Sequence, residues 1–161
     1  FHPSGRDHKV IDGILETVHG ELKGNISPQR VGTIYYNRGL IAAMLTTEAI
    51  LTAQNKFGKG KTMTGSQLRW GIENLDLTQA RLDEIGFGSL MAPLKISCID
   101  HEGGGPVMFQ EWDGNKWVQV TDWIKTDQTI VRPMIEESAA KYAKEKGITP
   151  RSGDSLGSNC G

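Results

Sequence analysis

The chain has 161 residues, a net charge of −1 and both signs of charge spread along its length, which fits one domain and argues against nucleic acid as the main partner, since phosphate binding needs a basic excess. No run of about 18 apolar residues occurs, so the sequence predicts no transmembrane helix. It opens FHPSGRDH with no leading Met, which reads as a fragment or a processed chain and says nothing of a signal peptide.

In chain order, Asp7 caps a predicted helix to about Leu22, whose Ile11, Ile14, Leu15 and Val18 recur at three- and four-residue spacing. His8 and His19 fall on its polar side. Lys23 and Gly24 close it as expected of a C-terminus, and Asn25 to Arg30 is a turn. Val31 to Tyr36 reads as a short strand. A helix from Asn37 to Asn55 follows, about 28 Å long at 1.5 Å per residue. All six residues from Leu40 to Leu45 are apolar, so this helix is expected to be buried on most sides.

Phe57 to Lys61 is a basic glycine loop. It lacks the GxxxxGK[ST] spacing and a preceding strand, so a solvated connection is the better reading than a phosphate loop. Thr64 and Gln67 form a capping box for a helix carrying Leu68, Ile72 and Leu75. A second short helix runs from Thr78 to Gly86, and Phe87 to Pro93 is a loop.

The pattern then turns to period two. Leu94, Ile96 and Cys98 alternate with Lys95 and Ser97. Val107 and Phe109 form a second strand, and Trp117 to Thr121 a third. Asp113-Gly114 between Trp112 and Trp117 is a hairpin signal. Leu94 to Trp123 therefore reads as an antiparallel meander, with Trp112 and Trp117 as cross-strand partners. The last helix spans about Val131 to Lys146, with Pro133 in its first turn and Gly147 ending it. Residues 149–161 have the composition of a flexible tail. The fold class is α/β: helices plus a C-terminal antiparallel strand meander, without the repeated βαβ units of a complete doubly wound domain.

Few residues carry chemistry. Asp100, His101 and Glu102 are the one acid–imidazole cluster, and an acid beside an imidazole can act as a general base. All three lie in one glycine turn, where side chains fan apart, and no nucleophile is identifiable by motif. A turn-stabilising Asp with an exposed His, a ligand contact by His101, and a hydrolase using His101 are the three readings. Tyr35 and Tyr36 offer flat faces with hydroxyls, suited to an aromatic or carboxylate ligand or to a core. Arg38 suits a ligand carboxylate or a salt bridge. Cys98 and Cys160 are either two unrelated thiols or a disulfide tying the tail to a strand, which would imply an oxidising compartment. Neither cysteine has zinc-ligand spacing, and no metal or cofactor is expected.

The segments YYNRGLIAAMLTTEAILTAQ, MTGSQLRWGIENLD, LMAPLKISCIDHEGGGPVMFQEWDG and VRPMIEESAAKYAKEKGITPR resemble, in this order, the C-terminal part of the branched-chain amino-acid type of periplasmic solute-binding protein. The resemblance implies a partial type I binding-protein fold over residues 1–148. Two lobes would close on a small organic solute for delivery to an ABC permease. The cargo would be an amino acid, an organic or aromatic acid, or an amide. It also implies a non-enzymatic, periplasmic protein. Ligand contacts are expected at Tyr35, Tyr36, Asn37, Arg38 and His101. A ligand-sensing domain of the same fold is the alternative. Because less than half of such a protein is present, the long helix would lack its natural cover, and a homodimer by element exchange is expected.

Overall fold

The computed structural model describes residues 3–21, 23–152 and 157. Its architecture is mixed α/β: five helices and, towards the C-terminus, a small antiparallel strand meander. Helix α1 is Lys9–Ile14 and runs on as a π-helical stretch, Leu15–Glu21. A 3₁₀ turn, Pro28–Arg30, leads to α2, Ile34–Phe57. Then come α3 (Gly65–Glu73), β1 (Asp76–Leu77), α4 (Gln79–Glu84), β2 (Leu94–Lys95), β3 (Gln110–Trp112), β4 (Trp117–Gln119) and α5 (Gln128–Lys146).

Helix α1 starts after His8 rather than at an Asp7 cap, and the His8 side chain makes no capping bond. Asp7 instead accepts from Lys116 Nζ at 2.8 Å, tying the N-terminal segment to the hairpin turn. His8 is not solvated as expected: it is half-buried, with Nδ1 2.9 Å from Ser89 Oγ.

Helix α2 differs most from the sequence expectation. Among the described residues no strand precedes it. Tyr35 and Tyr36 already lie in its first turn, and its 24 residues make it about 36 Å long. It is also not buried on most sides. Asn37, Ile41, Met44, Glu48, Ala49 and Ala53 form one buried stripe at helical spacing, while Ala42, Ala43, Thr46 and Thr47 face solvent. The exposed side is made of small residues that look apolar in a sequence but present little area. The hydroxyls of Thr46 and Thr47 donate to the carbonyls of Ala42 and Ala43, one turn back.

The buried stripe packs on α3 and on the segment that follows it. Gly71 makes the α2–α3 crossing: a Cβ there would sit 2.2 Å from Ala49 O. Phe57 and Trp70 meet edge to face, with centroids 5.3 Å apart. The core joins Ile41 and Met44 of α2 to Leu75, Leu77, Leu82, Phe87, Leu90 and Met91. Glu48, nearly buried, receives Arg81 Nε at 3.0 Å and Nη2 at 2.7 Å, a two-pronged bond that fixes α4 against α2.

The local signal at α3 acts as the sequence predicts, and a second cap appears at α4. Thr64 and Gln67 form the full capping box, and Thr78 Oγ1 caps α4 by accepting from Arg81 N at 3.2 Å. The first expected strand of the meander has a different partner. Leu94–Lys95 pairs antiparallel with Asp76–Leu77, a two-residue strand too short to show a period. The hairpin of β3 and β4 stands apart, with Trp112 opposite Trp117 and their rings edge to face at 5.7 Å. Asp113 Oδ1 accepts from the backbone N–H groups of Asn115 and Lys116, both at 2.8 Å, which closes its turn. Gln110 exchanges two hydrogen bonds with the backbone of Ser4 and pins the hairpin to the N-terminal segment.

Helix α5 begins three residues earlier than predicted, because Asp127 caps it by accepting from Thr129 N at 2.9 Å. Pro133 therefore falls in the second turn. None of the 19 residues of α5 is buried, and Ile130 and Met134 are 62% and 66% exposed. Gly147 closes the helix in the left-handed conformation, as expected.

Candidate functional site

The turn 100–105 is built by its own residues. Asp100 Oδ1 accepts from Glu102 N at 3.0 Å and from Gly103 N at 3.2 Å. Gly103, Gly104 and Gly105 all take positive φ, a run that side chains would not sustain, and a Cβ at Gly103 would come 2.0 Å from Leu94 Cδ1. The turn is thereby pressed onto β2. Thr126 Oγ1 and Gln128 Nε2 both donate to Gly104 O. Arg132 donates to Ile99 O, so the first turns of α5 hold the outer side of the glycine turn.

Between this turn and α2 lies a cavity of about 310 Å³. Ile41 and Leu45 of α2, Met91 and Leu94 supply apolar wall, Trp123 supplies aromatic surface, and His101 and Glu102 edge it. A second cavity of about 380 Å³ shares Ala92, Pro93, Pro106 and Trp123 with the first and adds Lys125. Small-ligand pockets are mostly apolar with a few placed polar groups, and this one has that character.

His101 is not paired with its sequence neighbours. Its Nε2 lies 3.5 Å from Oε1 of Glu73, the last residue of α3. The Glu73 side chain is 2% exposed, and the same oxygen accepts from Arg151 and lies 4.0 Å from Arg69 Nε. Among the described residues its other oxygen, Oε2, is buried without a hydrogen-bond partner. Glu73 is thus the charged centre under the turn, and its i,i+4 spacing from Arg69 was the one trace of it in the sequence. Arg151 also donates to Cys98 Sγ at 2.7 Å. The expected partner of Cys98, Cys160, lies outside the described residues.

The other sequence-selected residues sit in the first turns of α2, N-terminal to the Ile41 and Leu45 that line the cavity. Tyr35 is 78% exposed, Tyr36 half-buried and Arg38 exposed. Asn37 is fully buried and donates its amide to Pro3 O at 2.9 Å and Gly5 O at 3.1 Å, anchoring the N-terminal segment. None of these four lines the cavity beside His101. A cavity of about 420 Å³ does open near them, lined by Thr33, Arg6, Asp7 and Lys116 among others. Its charges are used internally: Arg6 Nε donates to Val31 O at 2.9 Å, and Lys116 is paired with Asp7. That pairing holds the Asp7 carboxyl below, and the Lys116 ammonium above, its ordinary value. Among the described residues no group of three metal-ligating side chains converges.

The sequence matches no family model and no curated protein. It is similar to a crystal structure described as an ABC transporter permease from the Pseudomonas fluorescens group, with 42% sequence identity and a TM-score of 0.88. The match covers 93% of this chain and 36% of that one, so the chain spans little more than a third of the protein it resembles. None of the described helices is long and apolar enough to cross a membrane. In sequence and in fold, the chain is related to a segment of a protein described as an ABC-transporter component.

Proposed function

We propose that this chain is part of the solute-capturing component of an ABC importer, with the type I binding-protein fold and a periplasmic site of action. The observation that carries the reading is the 42% identity, over 93% of the chain, to a protein described as an ABC transporter permease. The apolar cavity edged by His101 and Glu102 supports it, because the walls suit a small organic molecule and the polar groups gather at one side. The cargo class is a small organic solute: an amino acid, an organic or aromatic acid, or an amide. Capture proceeds by closure of a second lobe over this one, and the loaded protein delivers to its permease.

A binding role is favoured over hydrolysis by the neighbour of His101. The group facing its imidazole is the Glu73 carboxylate rather than a hydroxyl. A homodimer by exchange of elements is a separate proposal, and size-exclusion chromatography tests it.

A thermal-shift screen of small carboxylates, amines, amides and aromatic acids tests the proposal. A ligand at a hundred times its Kd stabilises by about 2.7 kcal/mol. At this chain size that raises Tm by roughly 5 to 10 °C. A panel in which no compound moves Tm overturns the reading.

A further inference from the structure

We infer that the cavity beside His101 selects a ligand with a hydrogen-bond-donating head, an amine or a primary amide on a compact apolar body, over the corresponding carboxylate. This deepens the solute-capture reading and rests on it. The argument is electrostatic. Of the side chains lining the cavity, Glu102 bears the full charge, and no lysine or arginine is among them. Lys125 faces the neighbouring cavity, which Pro106 and Trp123 also border.

The orientation of His101 points the same way. Glu73, beside Nε2, favours the proton on that nitrogen in the neutral imidazole, which leaves Nδ1 as an acceptor. Trp123 adds aromatic surface that attracts cations. A carboxylate head entering this space would meet Glu102 as a like charge and would find Nδ1 an acceptor with nothing to accept. An ammonium or amide head supplies N–H donors to both. The remaining wall, Ile41, Leu45, Met91 and Leu94, is aliphatic, and a volume of about 310 Å³ admits a ligand of benzyl or branched aliphatic size.

Calorimetric titrations at pH 8 with benzylamine, benzamide and benzoate, then with isopentylamine, isobutyramide and isovalerate, read the selectivity with the body held nearly constant. The amine and amide are expected to bind up to about fivefold tighter than the matching carboxylate, the weight of one exposed ion pair. Glu102 is exposed, so Glu102→Gln leaves the fold intact. It should weaken the amine about fivefold and leave the amide within about twofold. Tightest binding by the carboxylates overturns the inference and leaves the solute-capture reading standing. An unchanged amine affinity in Glu102→Gln also overturns the inference alone. Failure of all six compounds, together with an empty wider screen, removes both.

Discussion

His101 and Glu73 face each other across 3.5 Å, although one belongs to a surface turn and the other ends α3. The pairing makes Glu73 the anchor of the turn as well as the receiver of Arg151. Its three neighbours, Arg69, His101 and Arg151, are 45%, 62% and 30% exposed and can hydrate if released, whereas Glu73 cannot. Glu73→Gln therefore removes charge-assisted bonds at a buried site and should cost about 2 kcal/mol. The urea midpoint reads it. A midpoint equal to that of the unaltered chain would refute the anchoring role.

Gly71 should tolerate no side chain. The Cβ of alanine would be 2.2 Å from Ala49 O, and Ala49 lies on the buried stripe of α2, so the helices must separate. Overpacking and lost α2–α3 contacts together should cost roughly 3 kcal/mol, despite the better helix propensity of alanine. The expected fall in Tm is about 6 to 12 °C. Gly39, with open space around its Cβ position, is the control: Gly39→Ala should be neutral or stabilising.

Acid should unfold the chain in two stages. Burial pushes the His8 imidazole below its ordinary value, against a smaller opposing pull from Asp7. A folded-state value below the unfolded one means that the His8 contribution is full above about pH 6.5 and is lost as pH falls through the lowered value. Asp127, held down by the Thr129 hydroxyl and backbone N–H, and Asp113, held down by the N–H groups of Lys116 and Asn115, behave alike at lower pH. Their contributions are full above about pH 4 and vanish as pH falls through their lowered values. Urea midpoints at pH 8, 6, 5, 4 and 2.5 should show one loss below about pH 6.5 and a second below about pH 4. His8→Asn should flatten the first stage alone.

Cys98 and Cys160 are expected to form a disulfide, a pairing that the described residues leave to experiment. The intact mass under non-reducing conditions should then be two hydrogens below the thiol form, and reduction should lower stability by about 4 kcal/mol. Alkylation of two free thiols would show the pairing to be wrong.

Features set within a few residues were legible in the sequence. The capping box of Thr64 and Gln67, the Asp113-Gly114 turn and the Gly147 stop all act over one to four residues, where side chain and backbone decide the geometry together. The boundaries of α2 and α5 were less legible. Thr33 before α2 caps without its side chain, and the Asp127 cap starts α5 three residues before the predicted Val131. The width of the apolar run in α2 misled because Ala42 and Ala43 count as apolar but bury little.

Tertiary structure alone decided the rest. Leu94 pairs with Leu77 instead of with its next strand, Asn37 binds Pro3 and Gly5, and His101 turns to Glu73 rather than to the acids on either side of it. These partners are separated in sequence by many residues, and no local pattern encodes which buried donor will meet which acceptor. The sequence determined that a glycine turn would present an imidazole. The packing of α2, α3 and β2 determined what that imidazole faces and the cavity it edges, because burial of the shared apolar core fixes the elements before the polar groups find partners.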